Sequence, residues 1–162
     1  MMKKLNKSGF TLIELLAVIV VLAIVAVLAT SQLLPILEKT RKNAFAAEAN
    51  NVIDAASKAV TLWAIGDKTD TEISSSVTGG GDQNKVFCFT LQKLVEDGVL
   101  VKDLNKGNYS GTVVVTVPPN SGAYTYRIEM QNTQFYVQST GTASADDVYT
   151  GTPATEIKTS CQ

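Results

Sequence analysis

The chain is 162 residues long, with 14 basic and 15 acidic side chains, no histidine and two cysteines, which points to one folded unit plus an anchor. A net charge of -1 offers no basic surface to neutralise phosphates, so nucleic-acid binding gains no support. The missing histidine removes the commonest general base and the commonest metal ligand, and two cysteines alone do not complete a structural zinc site, so an enzyme is disfavoured and no cofactor is expected.

In chain order, the first segment is MMKKLNKSG, whose Lys3, Lys4 and Lys7 favour a cytoplasmic N-terminus. Lys39, Arg41 and Lys42 on the far side of the apolar run weaken that bias, so orientation rests on the leader. From Phe10 to Leu34 the only ionisable side chain is Glu14, and Leu15 to Ala29 is unbroken apolar sequence, long enough to cross a bilayer as a helix. Beyond it, Phe45, Ala49, Val52, Ile53, Ala56, Val60 and Trp63 recur at three-and-four spacing and mark one face of a continuing helix. Gly66 stands where a left-handed residue would end it. A single helix from Phe10 to Ile65 would be roughly 80 Å long, with a kink or local break expected at Pro35, which lacks an amide donor.

Residues 66 to 85 are polar, carry Ser74, Ser75, Ser76, Gly79, Gly80 and Gly81, and read as an exposed loop. Leu91, Leu94 and Val95, preceded by Thr90 and followed by Gly98, read as a short helix with a threonine N-cap. Three strands follow in the runs TVVVTV, AYTYRIEM and QFYVQ. Val113, Val115 and Val117 share one face, as do Tyr124, Tyr126, Ile128 and Met130, and Phe135 and Val137. Pro118 to Gly122 and Asn132 to Thr133 supply the turns. The expectation is an α+β fold in which the amphipathic part of the helix covers a small antiparallel sheet, with Trp63, Tyr124 and Tyr126 in the core. The tail from Thr140 shows no periodicity.

The run KSGFTLIELL is specific: it resembles the processing and assembly motif of type IV pilins and the related pseudopilins. The resemblance implies cleavage by a prepilin peptidase between Gly9 and Phe10, N-methylation of Phe10, and an assembly role for Glu14. It divides the chain into a leader 1–9, a membrane and filament-core segment 10–34, an amphipathic segment 35–66 and a globular head 67–162. It also implies a homo-oligomeric helical filament, a pilus assembly machinery as partner, residence in the cytoplasmic membrane before assembly, and a cell-surface location after it. The family's apolar half commonly contains a glycine and a proline. This segment has no glycine after Gly9, its proline is Pro35, and local unwinding is expected around Thr30 to Leu34 in a filament.

A carboxylate in hydrocarbon is costly unless paired, which makes Glu14 a functional candidate without reference to any family. No lysine or arginine lies within helical reach of it in the mature chain. Cleavage after Gly9 would create an ammonium on Phe10, mostly protonated at neutral pH, and a neighbouring subunit's amine would then supply the charge and set the axial register. The simpler reading is a first-turn acid favoured by the helix dipole in a plain anchor. An ordinary secretory signal cut after Val27-Leu28-Ala29 is a third reading, and it would leave Thr30 as the N-terminus.

Cys88 and Cys161 in a chain that leaves the cytoplasm read as one disulfide pinning the tail, in keeping with the pilin resemblance; the alternative is two free thiols with Cys88 buried. Gly79 to Gly81 lack the following Gly-Lys-Ser/Thr of a phosphate loop. Asp82 with Asn84, or Asp146 with Asp147, falls short of a calcium loop and reads as solvated turns. No catalytic residue is assigned. The leading reading is a pilin, with a pseudopilin of a secretion or DNA-uptake system, or a membrane-anchored adhesin, as alternatives.

Overall fold

A computed structural model describes residues 11–67, 69, 76–81, 83–101, 107–119, 123–153 and 155–161. Gly9, Phe10, Lys3, Lys4, Lys7, Ser74, Ser75 and Asp82 lie outside the described residues. The described elements run α1 (Leu12–Ala64), β1 (Ser76–Thr78), β2 (Lys85–Thr90), α2 (Leu91–Glu96), β3 (Ser110–Val117), β4 (Thr125–Gln131), β5 (Phe135–Thr140), a 3-10 turn (Ala145–Asp147) and β6 (Val148–Thr150). The chain separates into two compact units, Met1–Lys39 and Thr40–Gln162.

In the first unit the described residues are all exposed. Leu15, Ile19, Leu22, Val25 and Leu28 each keep half or more of their surface, and the most apolar window of α1 has a mean hydropathy of 3.2 with none of it buried. This is a helix long and apolar enough to cross a membrane. Helical assignment continues through Pro35, so the break expected there does not occur in the isolated subunit. One turn earlier the Thr30 hydroxyl donates to the Ala26 carbonyl (2.8 Å) and the Ser31 hydroxyl to that of Leu28 (2.9 Å), the local bonding through which such residues sit inside an apolar helix.

In the second unit, Phe45, Ala49, Val52, Ile53, Ala56 and Val60 of α1 are buried, joined by Ala46, Ala55 and Ala59. The alanines are both strong helix formers and small enough to let a helix approach a sheet closely. Their partners are the six antiparallel strands, ordered β1-β2-β3-β4-β5-β6. Phe87, Phe89, Val113, Val115, Ile128, Met130, Phe135, Val137 and Val148 all belong to the same buried cluster. Period-2 alternation along each strand puts these residues on one face and Cys88, Val114, Arg127, Glu129, Tyr136 and Tyr149 on the other. Trp63 packs on Phe87 with ring centroids 4.9 Å apart, and the Tyr126 hydroxyl reaches Ser57 Oγ at 3.1 Å. Trp63, Tyr124 and Tyr126 are partly buried against the core rather than inside it.

Both helices end on glycine by the same device. Gly66 (φ +79) donates to Trp63 and Asp67 donates to Leu62. In α2, Gly98 (φ +70) donates to Val95 and Val99 to Leu94. Each is a Schellman closure, which needs the left-handed backbone that glycine adopts freely. Thr90 caps the start of α2, its hydroxyl accepting from the Lys93 amide at 3.2 Å.

The sheet is larger than the three strands read from the alternating runs. Ser76–Thr78, inside the expected loop, forms β1, and Val148–Thr150, inside the unpatterned tail, forms β6. Lys85–Thr90, which carries Cys88, forms β2. Strands of three residues carry too few alternations to register as a pattern, and β2 passes into α2 at Thr90 with no turn residue between them.

Two further features fix the periphery of this unit. Asn50 of α1 donates to the Ala143 carbonyl (2.9 Å) and accepts from the Ala143 amide (2.7 Å), clamping the segment after β5. Cys88 and Cys161 form a disulfide, S–S 2.04 Å. Between them the tail returns across the sheet face opposite α1, where the Lys158 amide donates to Glu129 Oε2 at 3.3 Å. Ile157 is 2 % exposed yet stands outside the helix–sheet core cluster, and Thr112, on the same outer face as Cys88, is 3 % exposed.

Candidate assembly site

The described part of the site is the first turn of α1. Thr11 precedes the helix and Glu14 is its third residue after the cap, the Thr-x-x-Glu spacing of a capping box. Glu14 Oε2 accepts from both the Thr11 amide and the Thr11 hydroxyl, each at 2.8 Å, and the Glu14 amide approaches Thr11 Oγ1 at 3.4 Å. The carboxylate therefore has two donors from its own chain, and its charge sits at the end of the helix where the dipole favours it. Among the described residues both of these bonds fall on Oε2.

Glu14 was singled out because it is the only acid in an apolar run. Thr11 escapes that reasoning, although the spacing Thr-x-x-Glu ahead of an apolar stretch is a legible signal in its own right. Gly9 and Phe10, the residues of the expected cut, lie outside the described residues. Pro35 lies inside α1, and Cys88 and Cys161 belong to the second unit.

The second unit has a cleft of about 350 Å³ lined by Arg41, Phe45, Glu48, Tyr109, Asn132 and Phe135, among others. Burial, followed by the hydrogen bond and charge of the Glu48 carboxylate, pushes the Tyr109 phenol up to about 12. The aromatic floor is packed internally, with Phe45 6.1 Å from Tyr109 and 5.8 Å from Phe135. The Glu48 carboxylate thus holds the Tyr109 phenol in its neutral form. Among the described residues, no three His, Cys, Asp or Glu side chains gather where a metal ion would be held. Asp147 is occupied as a cap, its Oδ2 accepting from the amide and hydroxyl of Ser144 at 2.8 Å each.

Comparison with curated proteins and with solved structures returned no match. Residues 4–30 match the family model described as the prokaryotic N-terminal methylation motif. That match takes in the leader from Lys4 onward, the Gly9–Phe10 junction, the Thr11–Glu14 capping box and most of the apolar run. The motif implies processing by a prepilin peptidase and a pilus-type assembly system, and it marks structural rather than catalytic proteins. With its long N-terminal helix and antiparallel sheet, the chain has the α+β architecture of type IV pilins and carries, over residues 4–30, the leader signature of type IV pilins and pseudopilins.

Proposed function

We propose that this chain is the main structural subunit of a type IV pilus, cut between Gly9 and Phe10, methylated on the Phe10 amine and polymerised through its apolar helix. The observation that carries this reading is the methylation motif on a helix whose Leu12–Leu37 side chains are exposed among the described residues. An apolar surface of that extent requires lipid or other copies of itself. In the membrane the segment is a single-pass anchor. In the filament, packing of small and branched side chains between copies replaces lipid.

Glu14 sets the register of that packing. Thr11 satisfies Oε2 within the subunit, which lets the acid reside in an apolar setting before assembly. Oε1 then accepts the methylated Phe10 ammonium of a neighbouring subunit, so the cap and the intersubunit pair coexist on one carboxylate. Pro35 and the polar turn Thr30 to Gln32 supply the place where the helix loosens as subunits pack.

Mass spectrometry of the mature chain tests the processing step: the expected product begins at methyl-Phe10, and a chain beginning at Thr30 overturns the reading. Glu14→Ala tests the register step, with loss of filaments expected at unchanged subunit level. Normal filaments from that variant would sink the mechanism. A pseudopilin shares the same front end and differs in building a short filament that does not leave the envelope, so imaging filaments that contain this chain separates the two.

A further inference from the structure

The C-terminal segment crosses the outer face of the sheet instead of joining it. Lys158 is held over β4 by Glu129, and Cys161 is bonded to Cys88 in β2. Those strands are two spacings apart, roughly 10 Å, which is about what the three residue steps from Lys158 to Cys161 cover when extended. The segment therefore runs across the strands, where its backbone has no ladder to pair with. Among the described residues after Gly151 it makes no backbone–backbone hydrogen bond, and its attachments are the Lys158–Glu129 bond, the burial of Ile157 and the disulfide. The helix–sheet core does not include Ile157, and the five strand pairings do not involve the segment.

We propose that residues 155–161 form a redox-latched strap: with the Cys88–Cys161 bond intact the strap covers Thr112 and the outer face of β2 to β4, and with the bond reduced it detaches while the helix–sheet core stays folded. Fixing the backbone of a seven-residue segment costs more free energy than one buried isoleucine and one hydrogen bond return, so the covalent bond decides whether the strap is seated. In the opening step an external dithiol attacks the bond, the Cys88–Cys161 S–S bond breaks, both cysteines leave as thiols carrying the reductant's protons, and the dithiol is oxidised to its own disulfide. The latch operates in the subunit irrespective of whether that subunit polymerises.

The test uses the full chain, oxidised and folded in detergent micelles, then treated with dithiothreitol and alkylated without denaturant. Brief trypsin digestion reports cleavage after Lys158, and hydrogen exchange reports protection in α1 and β3 to β5. Reduction is expected to speed cleavage after Lys158 by at least about tenfold, while α1 from Phe45 to Val60 and β3 to β5 stay folded and protected, their exchange accelerating together as loss of a cross-link spanning 73 residues lowers global stability. Unchanged cleavage after reduction would show that Ile157 and Glu129 suffice, and would overturn the latch. Unprotected amides throughout α1 and β3 would show that the bond staples the whole fold, and would overturn it equally. Cys161→Ser, prepared without oxidant, should match the reduced chain, and a seated strap in that variant also refutes the proposal. The reduction of already folded wild-type chain decides the matter even where the variant does not accumulate.

Discussion

The two halves of α1 are one helix in sequence and two different physical objects. Leu15–Ala29 is apolar around its whole circumference and, like the rest of Leu12–Lys39, is exposed among the described residues, whereas Thr40–Ala64 carries an apolar stripe that is buried with the sheet. The first half is rich in β-branched valine and isoleucine and the second in alanine, yet both are helical, so propensity does not decide their fates. What distinguishes them is where the polar residues fall: absent from Leu15 to Ala29, and placed at Asn51, Asp54, Lys58 and Thr61 on the exposed side of the second half. A helix that is greasy all round is destined for lipid or for other helices, and a helix with one greasy stripe is destined for its own domain.

Phe89→Ala breaks that comparison most severely. Phe89 is fully buried between α1 and the sheet, and its truncation should cost about 3–5 kcal/mol in denaturant unfolding of the sheet unit. Leu22→Ala in the apolar half should move the same transition by less than about 0.5 kcal/mol. A shift of equal size from both variants would show that the two halves are not energetically separate. Asn50→Ala comes next. It strands the amide and carbonyl of Ala143, and should lower stability by about 1–3 kcal/mol, with faster amide exchange at Ala143 as the local signature.

Gly66→Ala sharpens the end of α1. Open space surrounds the site, so any cost comes from φ +79 alone, and roughly 1 kcal/mol is expected by thermal denaturation. The smallest effect lies in alkaline pH. The Tyr109 phenol is raised from its ordinary value of 10.0 to about 12, so between those values the unfolded chain releases its proton while the folded chain retains it. Stability is then fully present below pH about 10 and declines as pH rises toward about 12. Tyr109→Phe should flatten that decline, and phenolate absorbance should show one tyrosine titrating late in the folded chain.

Much of this was legible from residue spacing. The buried face of α1, the Thr90 cap, the glycine stops at Gly66 and Gly98, and the parity of β3, β4 and β5 all follow from period 3.6, period 2 and left-handed backbone. Glu14 was legible as an acid out of place. Its Thr11 partner was equally present in the spacing, hidden because an acid in an apolar run directs the search toward a positive charge and away from a local cap. β1 and β6 were not legible, because a three-residue strand exists only through the neighbour it pairs with.

The amino-acid sequence by itself determined which segments bury a face, which face it is, and that residues 4–30 carry a methylation motif, because these are carried by periodicities and motifs within a few residues. Only the tertiary structure decided that Asn50 clamps Ala143, that β1 and β6 complete a six-stranded sheet, and that the tail, whose bond to Cys88 the two cysteines already suggested, crosses the strands instead of extending the ladder. Those arrangements join residues far apart in the chain. No local pattern encodes such a pairing, since each partner's sequence looks the same whether or not the other arrives.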